Sequence, residues 1–134
     1  MSPAVRLCGV SHHHAGSPAP VLASIELEVE CGAVLALIGP SGAGKSTLLG
    51  LIGGQIRGWK GTAQVLGSPL SAQVAPTRDR RVDTGFIYQE FALIERATVR
   101  QNVLNGRLGR TGRYASLFGR FSIVDQAAAD AALR

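Results

Sequence analysis

Aromatic residues, cysteines and long apolar runs are scarce in this 134-residue chain, and each scarcity excludes a class of protein. Aromatic residues make up 5% of it, too few for a base-stacking platform, so the net charge of +5 does not predict a nucleic-acid partner. The two cysteines, Cys8 and Cys31, fit no metal-binding spacing, and we expect both to be small buried side chains in a reducing compartment. No apolar run approaches about 20 residues and the N-terminus has no apolar signal core, so neither a membrane-spanning helix nor secretion is expected.

The most informative part of the chain is a glycine-rich stretch that satisfies G-x-x-x-x-G-K-[ST], the phosphate-binding P-loop pattern. We expect Gly39, Gly42 and Gly44 to take left-handed backbone angles, so that the backbone N–H groups close around the phosphates of a nucleotide, and Lys45 to bind the β- and γ-phosphates. The Ser46 hydroxyl is expected to ligate Mg²⁺, and Thr47 to donate to a further phosphate oxygen. The residues predicted to bind the nucleotide are Gly39, Pro40, Ser41, Gly42, Ala43, Gly44, Lys45, Ser46 and Thr47.

The residues on either side of this P-loop support the interpretation. Residues 34–38 are wholly apolar, which predicts a strand buried on both faces, and residues 46–52 predict a short helix that Gly53 and Gly54 end. A glycine-rich turn that matches the pattern by chance is one alternative. Another is a different P-loop enzyme, a GTPase or a small-molecule kinase, although the chain has no guanine-reading Asn-Lys-x-Asp.

Alternation of apolar residues and the positions of turn residues predict the other elements. Strands are expected at residues 5–10, 25–30, 61–66 and 84–88, with a loop at 11–20 and a helical turn at 71–75. Thr98 is predicted to cap a helix that ends at Asn105 and Gly106. Asp125 is predicted to begin an alanine-rich helix that continues to Arg134.

A second motif narrows the family. Residues 85–93, Gly-Phe-Ile-Tyr-Gln-Glu-Phe-Ala-Leu, are similar to the Q-loop of ABC-transporter ATPase subunits, in which a glutamine follows an apolar strand. Gln89 is the matching position, and the resemblance implies that its neutral amide senses the γ-phosphate and contacts Mg²⁺. Taken without the P-loop, Gln89 is better interpreted as a polar residue that ends a strand.

The segments 101–111 and 116–121 resemble the phosphonate-import branch of the same family, and the whole resemblance covers residues 5–134. It implies an α/β fold in which a P-loop NTPase core carries an N-terminal antiparallel β portion, together forming an ABC-type ATPase domain. Residues 1–97 would hold the β portion and the P-loop core, and residues 98–134 the start of the helical subdomain.

The resemblance also implies a function and a set of partners. The chain would be the ATP-binding subunit of an ABC importer, which couples binding and hydrolysis of ATP with Mg²⁺ to uptake of phosphonate or a phosphate-like anion. It would form a homodimer with a second ATPase subunit and dock on transmembrane permease subunits, while a separate phosphonate-binding protein selects the cargo. Its place would be the cytoplasmic face of the plasma membrane, as a peripheral subunit.

Two departures from the family pattern bear on these implications. His14 lies nearest to the position at which the family stacks adenine on an aromatic residue, and a metal site on residues 12–14 is the rival interpretation. The sequence contains no Leu-Ser-Gly-Gly-Gln signature, no apolar strand ending in Asp-Glu and no switch histidine. We therefore expect a chain truncated within the helical subdomain, and a catalytically inert nucleotide-binding fragment is the alternative function.

Overall fold

The computed structural model describes residues 3–76, 83–88, 93–108 and 121–133. The chain forms two compact units, Met1–Thr77 and Arg78–Arg134, which are described separately below. Within the described ranges, every helix is too short or too polar to cross a bilayer. The predicted boundary between residues 97 and 98 stays a prediction.

The first unit is built on a four-stranded antiparallel sheet. Its strands are β1 (Val5–His12), β2 (Leu22–Val29), β3 (Lys60–Val65) and β4 (Ser68–Pro69), in the order β2-β1-β3-β4. In the register, Leu7 of β1 lies opposite Leu27 of β2 on one side and Ala63 of β3 on the other. The structure therefore confirms the predicted strands near residues 5–10, 25–30 and 61–66, and with them the antiparallel N-terminal β portion.

The core of this unit lies between the sheet and helix α1 (Lys45–Ile52). Leu7, Val10 and Leu51 are almost fully buried there, and each such side chain stabilises the fold by about 1.5–3 kcal/mol. The helix matches the predicted range to within one residue, and Gly53 ends it by donating its N–H to the Leu49 carbonyl at 2.9 Å. The buried core members are Leu7, Val10, Leu22, Leu48, Leu51, Trp59, Ala63 and Ala72.

An irregularity in β1 changes which side chains face the core. The register shifts between Leu7 and Val10, and Gly9 in this stretch has a φ of +59°. After such a bulge the alternation restarts, so Val10 and then His12 are buried. The strand therefore continues two residues beyond the predicted end at Val10, into the segment that we expected to be a loop.

Two predicted strands are not formed. Residues 34–38 have no strand pairing, and Val34 and Ile38 are 99% and 94% exposed, although the sequence predicted burial on both faces. Residues 84–88 likewise belong to no strand of the described residues, and Ile87 is fully exposed. A strand is defined by its hydrogen-bonded neighbours. No described strand pairs with either segment. Apolar composition alone was therefore insufficient to predict whether these segments form strands.

Two smaller predictions are also corrected. Cys8 and Cys31 both lie at the surface rather than in the core. Cys8 follows the buried Leu7 on β1 and so points to the opposite face of the sheet, and Cys31 lies in the turn after β2. Residues 71–75 form no helical turn. Instead, the Ser71 hydroxyl accepts the N–H groups of Gln73 and Val74, which holds a bend.

The described part of the second unit contains helices α2 (Val99–Asn105) and α3 (Ile123–Ala132). The Thr98 hydroxyl accepts the Gln101 N–H at 3.2 Å, which confirms the predicted cap of α2. Helix α3 begins at Ile123, two residues before the predicted start at Asp125, because Ser122 caps it. The Ser122 hydroxyl accepts the Asp125 N–H at 3.1 Å and donates to the Asp125 carboxylate at 2.7 Å.

Ion pairs and an asparagine amide hold this unit together. Arg100 near the start of α2 forms a two-pronged pair with Asp130 near the end of α3, and Arg107 lies 3.6 Å from Asp125, so the helices run antiparallel. The Asp130 hydrogen bond and charge raise the pKa of Arg100 above its ordinary value. Asn102 accepts the Ile94 N–H at 2.8 Å and donates to the Ile94 carbonyl at 3.2 Å, which fixes the turn before α2.

Candidate nucleotide-binding site

The predicted P-loop lies between residues 33–38, which have no regular secondary structure, and helix α1. Gly42 and Gly44 have φ angles of +83° and +84°, in the left-handed region that side chains disfavour, as predicted. Gly39 was also expected to need such an angle, but its φ is not positive. A side chain there would instead contact Ala43, since a Cβ at Gly39 would lie 3.4 Å from the Ala43 Cβ.

Gly44 attaches the loop to the sheet. A Cβ at this position would lie 2.7 Å from the carbonyl oxygen of Val21 and 3.1 Å from Cδ2 of Leu22. Leu22 is a buried core residue at the start of β2, so the end of the loop rests directly on the sheet. The absence of a side chain at Gly44 is therefore required by packing as well as by backbone conformation.

Lys45 folds back over its own loop. Its ammonium donates to the carbonyl oxygens of Gly39 at 2.8 Å and Pro40 at 2.7 Å. The Pro40 carbonyl also accepts the Ala43 N–H at 3.3 Å. An ammonium group has three donors, so one N–H of Lys45 is left to point at an anion while the other two hold the loop closed.

The N-terminus of α1 carries the positive end of the helix dipole. Its first N–H groups have no acceptor within the helix, and Gly44 offers no side chain to cap them. No acidic residue lies in the first turn, so nothing there opposes a negative ligand. The Ser46 hydroxyl is exposed and Thr47 is half-buried. These donors and the hydroxyl fit the phosphates and Mg²⁺ of a nucleotide.

His12 and His14 lie where β1 ends. The His14 ring is exposed and packs against the His12 ring in a T-shaped arrangement, with 5.3 Å between centroids and 88° between planes. His12 is buried, and its Nδ1 has no hydrogen-bond partner in the structure. Among the residues that the structure describes, no three histidine, cysteine or acidic side chains converge as metal ligands, and a metal site on residues 12–14 stays an alternative.

Comparison with known proteins decides the family, since residues 22–134 match the ABC transporter family. The chain belongs to the ABC transporter family. The domain is accordingly a P-loop NTPase of ABC type with an antiparallel N-terminal sheet, which confirms the predicted fold class.

Several relatives of this chain are named as phosphonates import ATP-binding proteins. The chain is 44% identical over 106 residues to phosphonates import ATP-binding protein PhnC 1 of Rhodopseudomonas palustris strain HaA2, covering 78% of this chain and 38% of that protein. It is 43% identical over 105 residues to phosphonates import ATP-binding protein PhnC of Alcaligenes faecalis, with the same two coverages. It is 44% identical over 109 residues to PhnC 2 of Synechococcus sp. strain JA-2-3B'a(2-13), covering 79% of this chain and 40% of that protein. The chain thus spans about two fifths of the length of these relatives, and the predicted resemblance to their branch is confirmed.

Gln89 lies outside the described residues, so its role stays a prediction. Sequence reasoning missed the contact of Val21 with Gly44, the two loop carbonyls that bind Lys45, and the burial of His12. The contact of Val21 with Gly44 joins residues far apart in the sequence, and the Lys45 bonds go to backbone oxygens, so neither leaves a pattern in the sequence. A clue to the third was Gly9, because a glycine inside a strand pattern often marks a bulge.

Proposed function

We propose that this chain binds ATP with Mg²⁺ through residues 39–47, as part of the ATP-binding subunit of an ABC importer of phosphonates. The observation that carries the proposal is the Lys45 ammonium, which bonds two carbonyls of a left-handed glycine loop and keeps one donor for a phosphate. The chain therefore carries a shaped cradle for negative charge at the start of α1. A glycine-rich turn that matched the pattern by chance would not require this arrangement.

Each side chain of the proposed site contacts a different part of the nucleotide. Lys45 binds the β- and γ-phosphates, Ser46 ligates Mg²⁺, and Thr47 donates to a further phosphate oxygen. His14 offers its exposed ring to the adenine, and Gln89 contacts Mg²⁺ and the γ-phosphate. Mg²⁺ bridges the phosphate oxygens and neutralises their charge, so binding is expected to depend on Mg²⁺ as well as on Lys45.

Phosphonate import is proposed from the relatives rather than from the loop. Each relative compared above is named as a phosphonates import ATP-binding protein, and none supports the inert-fragment alternative. In such an importer the subunit works with permease subunits, a substrate-binding protein and a second ATPase subunit, on the cytoplasmic face of the membrane. The cargo is then selected elsewhere, and this chain does not contact phosphonate itself.

Turnover is a separate question from binding. Hydrolysis in this family needs a group that orients the attacking water and a signature loop that completes the site. The 134 residues contain neither a Leu-Ser-Gly-Gly-Gln sequence nor an apolar strand ending in Asp-Glu. We therefore expect the chain by itself to bind ATP without hydrolysing it.

The test measures ATP affinity and hydrolysis for the purified chain and two lysine variants. Lys45→Ala removes charge-assisted hydrogen bonds worth about 1.5–3 kcal/mol, which predicts a roughly 10- to 150-fold loss of ATP affinity. Lys60→Ala is the matched control, because it removes the same charge from an exposed position of β3. Equal affinities for both variants would contradict the proposal, and a preference for GTP would favour another class of P-loop protein.

The importer part of the proposal has its own test. The chain is co-expressed with the permease subunits of a phosphonate importer and recovered with them from membranes. Copurification that survives Lys45→Ala supports the proposed partnership, since docking does not need the phosphate cradle. Failure to copurify, with ATP binding intact, would contradict the importer assignment and leave the nucleotide site standing.

A further inference from the structure

The starting observation is a buried imidazole with an unsatisfied nitrogen. The His12 side chain is 93% buried, at 7% exposure, and its Nδ1 has no hydrogen-bond partner. Such an atom is costly to leave unpaired, and most buried polar atoms in proteins have a partner. His12 is the single buried side chain among the described residues with this deficiency.

Val21 links His12 to the P-loop, residues 39–47. The His12 carbonyl accepts the Val21 N–H at 2.8 Å, and the Val21 carbonyl faces Gly44 closely enough to exclude a side chain there. Standard backbone dimensions then put the Cα atoms of His12 and Gly44 on the order of 10 Å apart. A nucleotide whose phosphates lie on residues 39–47 has its nucleoside within that range.

The neighbouring ring supplies an apolar face at the same place. His14 begins a turn that closes when the Ser17 N–H donates to the His14 carbonyl at 3.0 Å, with Gly16 at a φ of +81°. Beside this turn, the exposed His14 ring lies 5.3 Å from the His12 ring between centroids, with the two planes nearly perpendicular. The His14 ring thus offers a flat surface for stacking, and His12 offers a nitrogen for a hydrogen bond. These are the two kinds of contact that a nucleoside needs.

We propose that His12 is a second nucleoside-binding residue, whose Nδ1 exchanges a hydrogen bond with the base or ribose of ATP when the base stacks on His14. The proposal rests on the proposed function, because it takes the phosphates to lie on residues 39–47. The Nδ1 atom is covered in the structure, and the exposed His14 ring beside it shifts to admit the nucleoside. Binding then gives a partner to the one buried polar atom that the described residues leave without one.

The test compares three ligands with three variants. The ligands are ATP, 2′-deoxy-ATP and inorganic triphosphate, so that contacts with the base, the ribose and the phosphates are separated. His12→Phe keeps a ring of similar size and removes the nitrogen, while His12→Asn returns a polar atom close to the Nδ1 position. His13→Phe is the matched control, since His13 is an exposed neighbour of the same chemistry.

The expected result is specific to the nucleoside. His12→Phe lowers the affinity for ATP about threefold to tenfold, the worth of one neutral hydrogen bond, and leaves the affinity for triphosphate unchanged. His12→Asn restores part of the loss, and His13→Phe has no effect. If His12→Phe lowers the affinity for ATP but not for 2′-deoxy-ATP, the contact is with the ribose. If it lowers the affinity for both nucleotides equally, the contact is with the base. Folding of each variant is checked by Trp59 fluorescence, and His12→Leu replaces the phenylalanine variant if the larger ring disturbs the core.

Three results would overturn the inference. Unchanged ATP affinity in the folded His12→Phe protein refutes the contact and leaves the phosphate site intact. An equal loss for ATP and triphosphate shows that His12 acts by holding the fold. Failure of the unaltered chain to bind either ligand refutes the proposed function itself, and with it the role of His12.

Discussion

Replacing Gly44 with alanine tests whether the P-loop is held in place by the sheet beneath it. The new Cβ would lie 2.7 Å from the Val21 carbonyl oxygen and 3.1 Å from Leu22 Cδ2, at a residue whose φ is +84°. The left-handed conformation costs a residue with a side chain about 1–2 kcal/mol. The contact with a backbone oxygen cannot be relieved by a rotamer change, and overpacking of this kind costs about 1–3 kcal/mol more. We therefore expect Gly44→Ala to lower the free energy of unfolding by about 2–5 kcal/mol.

Gly42→Ala is the control that separates the two causes. Gly42 has nearly the same φ, +83°, but no atom lies within 4 Å of a Cβ built there. This variant should lose only the backbone contribution of about 1–2 kcal/mol. The difference between the two variants then measures the contact of the loop with Val21.

Urea unfolding followed by tryptophan fluorescence measures both variants. Trp59 is the single tryptophan of the chain and is 6% exposed in the core beside α1, so its emission reports the unit that contains the loop. Unfolding free energies come from linear extrapolation to water. Equal losses in the two variants would refute the argument, because they would show that the loop does not press on the sheet.

The remaining predictions concern the second unit. Ser122→Ala removes the cap of α3, and we expect it to lower the stability of this unit by about 0.5–2 kcal/mol, seen as a loss of helical circular dichroism, while the exposed Ser41→Ala leaves the signal unchanged. The raised pKa of Arg100 means that Arg100 stays fully charged at every pH below the ordinary arginine pKa and loses its charge only as the pH rises through the higher folded-state value. Titration of Arg100 should therefore change the stability of this unit by nothing between pH 6 and 9, whereas added salt should weaken the exposed pair. A salt dependence that is unchanged in Arg100→Gln would contradict this assignment.

The sequence predicted those elements whose cause is local. Alternation placed the strands near Val5, Ile25 and Gly61, and the Thr98 hydroxyl capped α2 as its position before an apolar run indicated. The P-loop glycines at Gly42 and Gly44 took the backbone angles that the motif requires. In each case the signal and the structure lie within a few residues of each other.

The failures share a non-local cause. Residues 34–38 and 84–88 have the composition of strands, but a strand needs neighbours, and composition does not say where these are. Cys8 was expected in the core from its residue type, although its place beside Leu7 on a strand sends it to the opposite face. The burial of His12 depended on the register shift near Gly9, after which Val10 and His12 face the core. The cap at Ser122 was local and could have been found.

The distribution of aromatic residues gives the chain a built-in measure of cooperativity. Trp59 belongs to the unit Met1–Thr77, whereas both tyrosines, Tyr88 and Tyr114, belong to the unit Arg78–Arg134. Tryptophan and tyrosine signals therefore follow different halves of the molecule in one titration. Coincident transitions would mean that the two units unfold as a single thermodynamic body, and separated transitions would mean that each has a stability of its own.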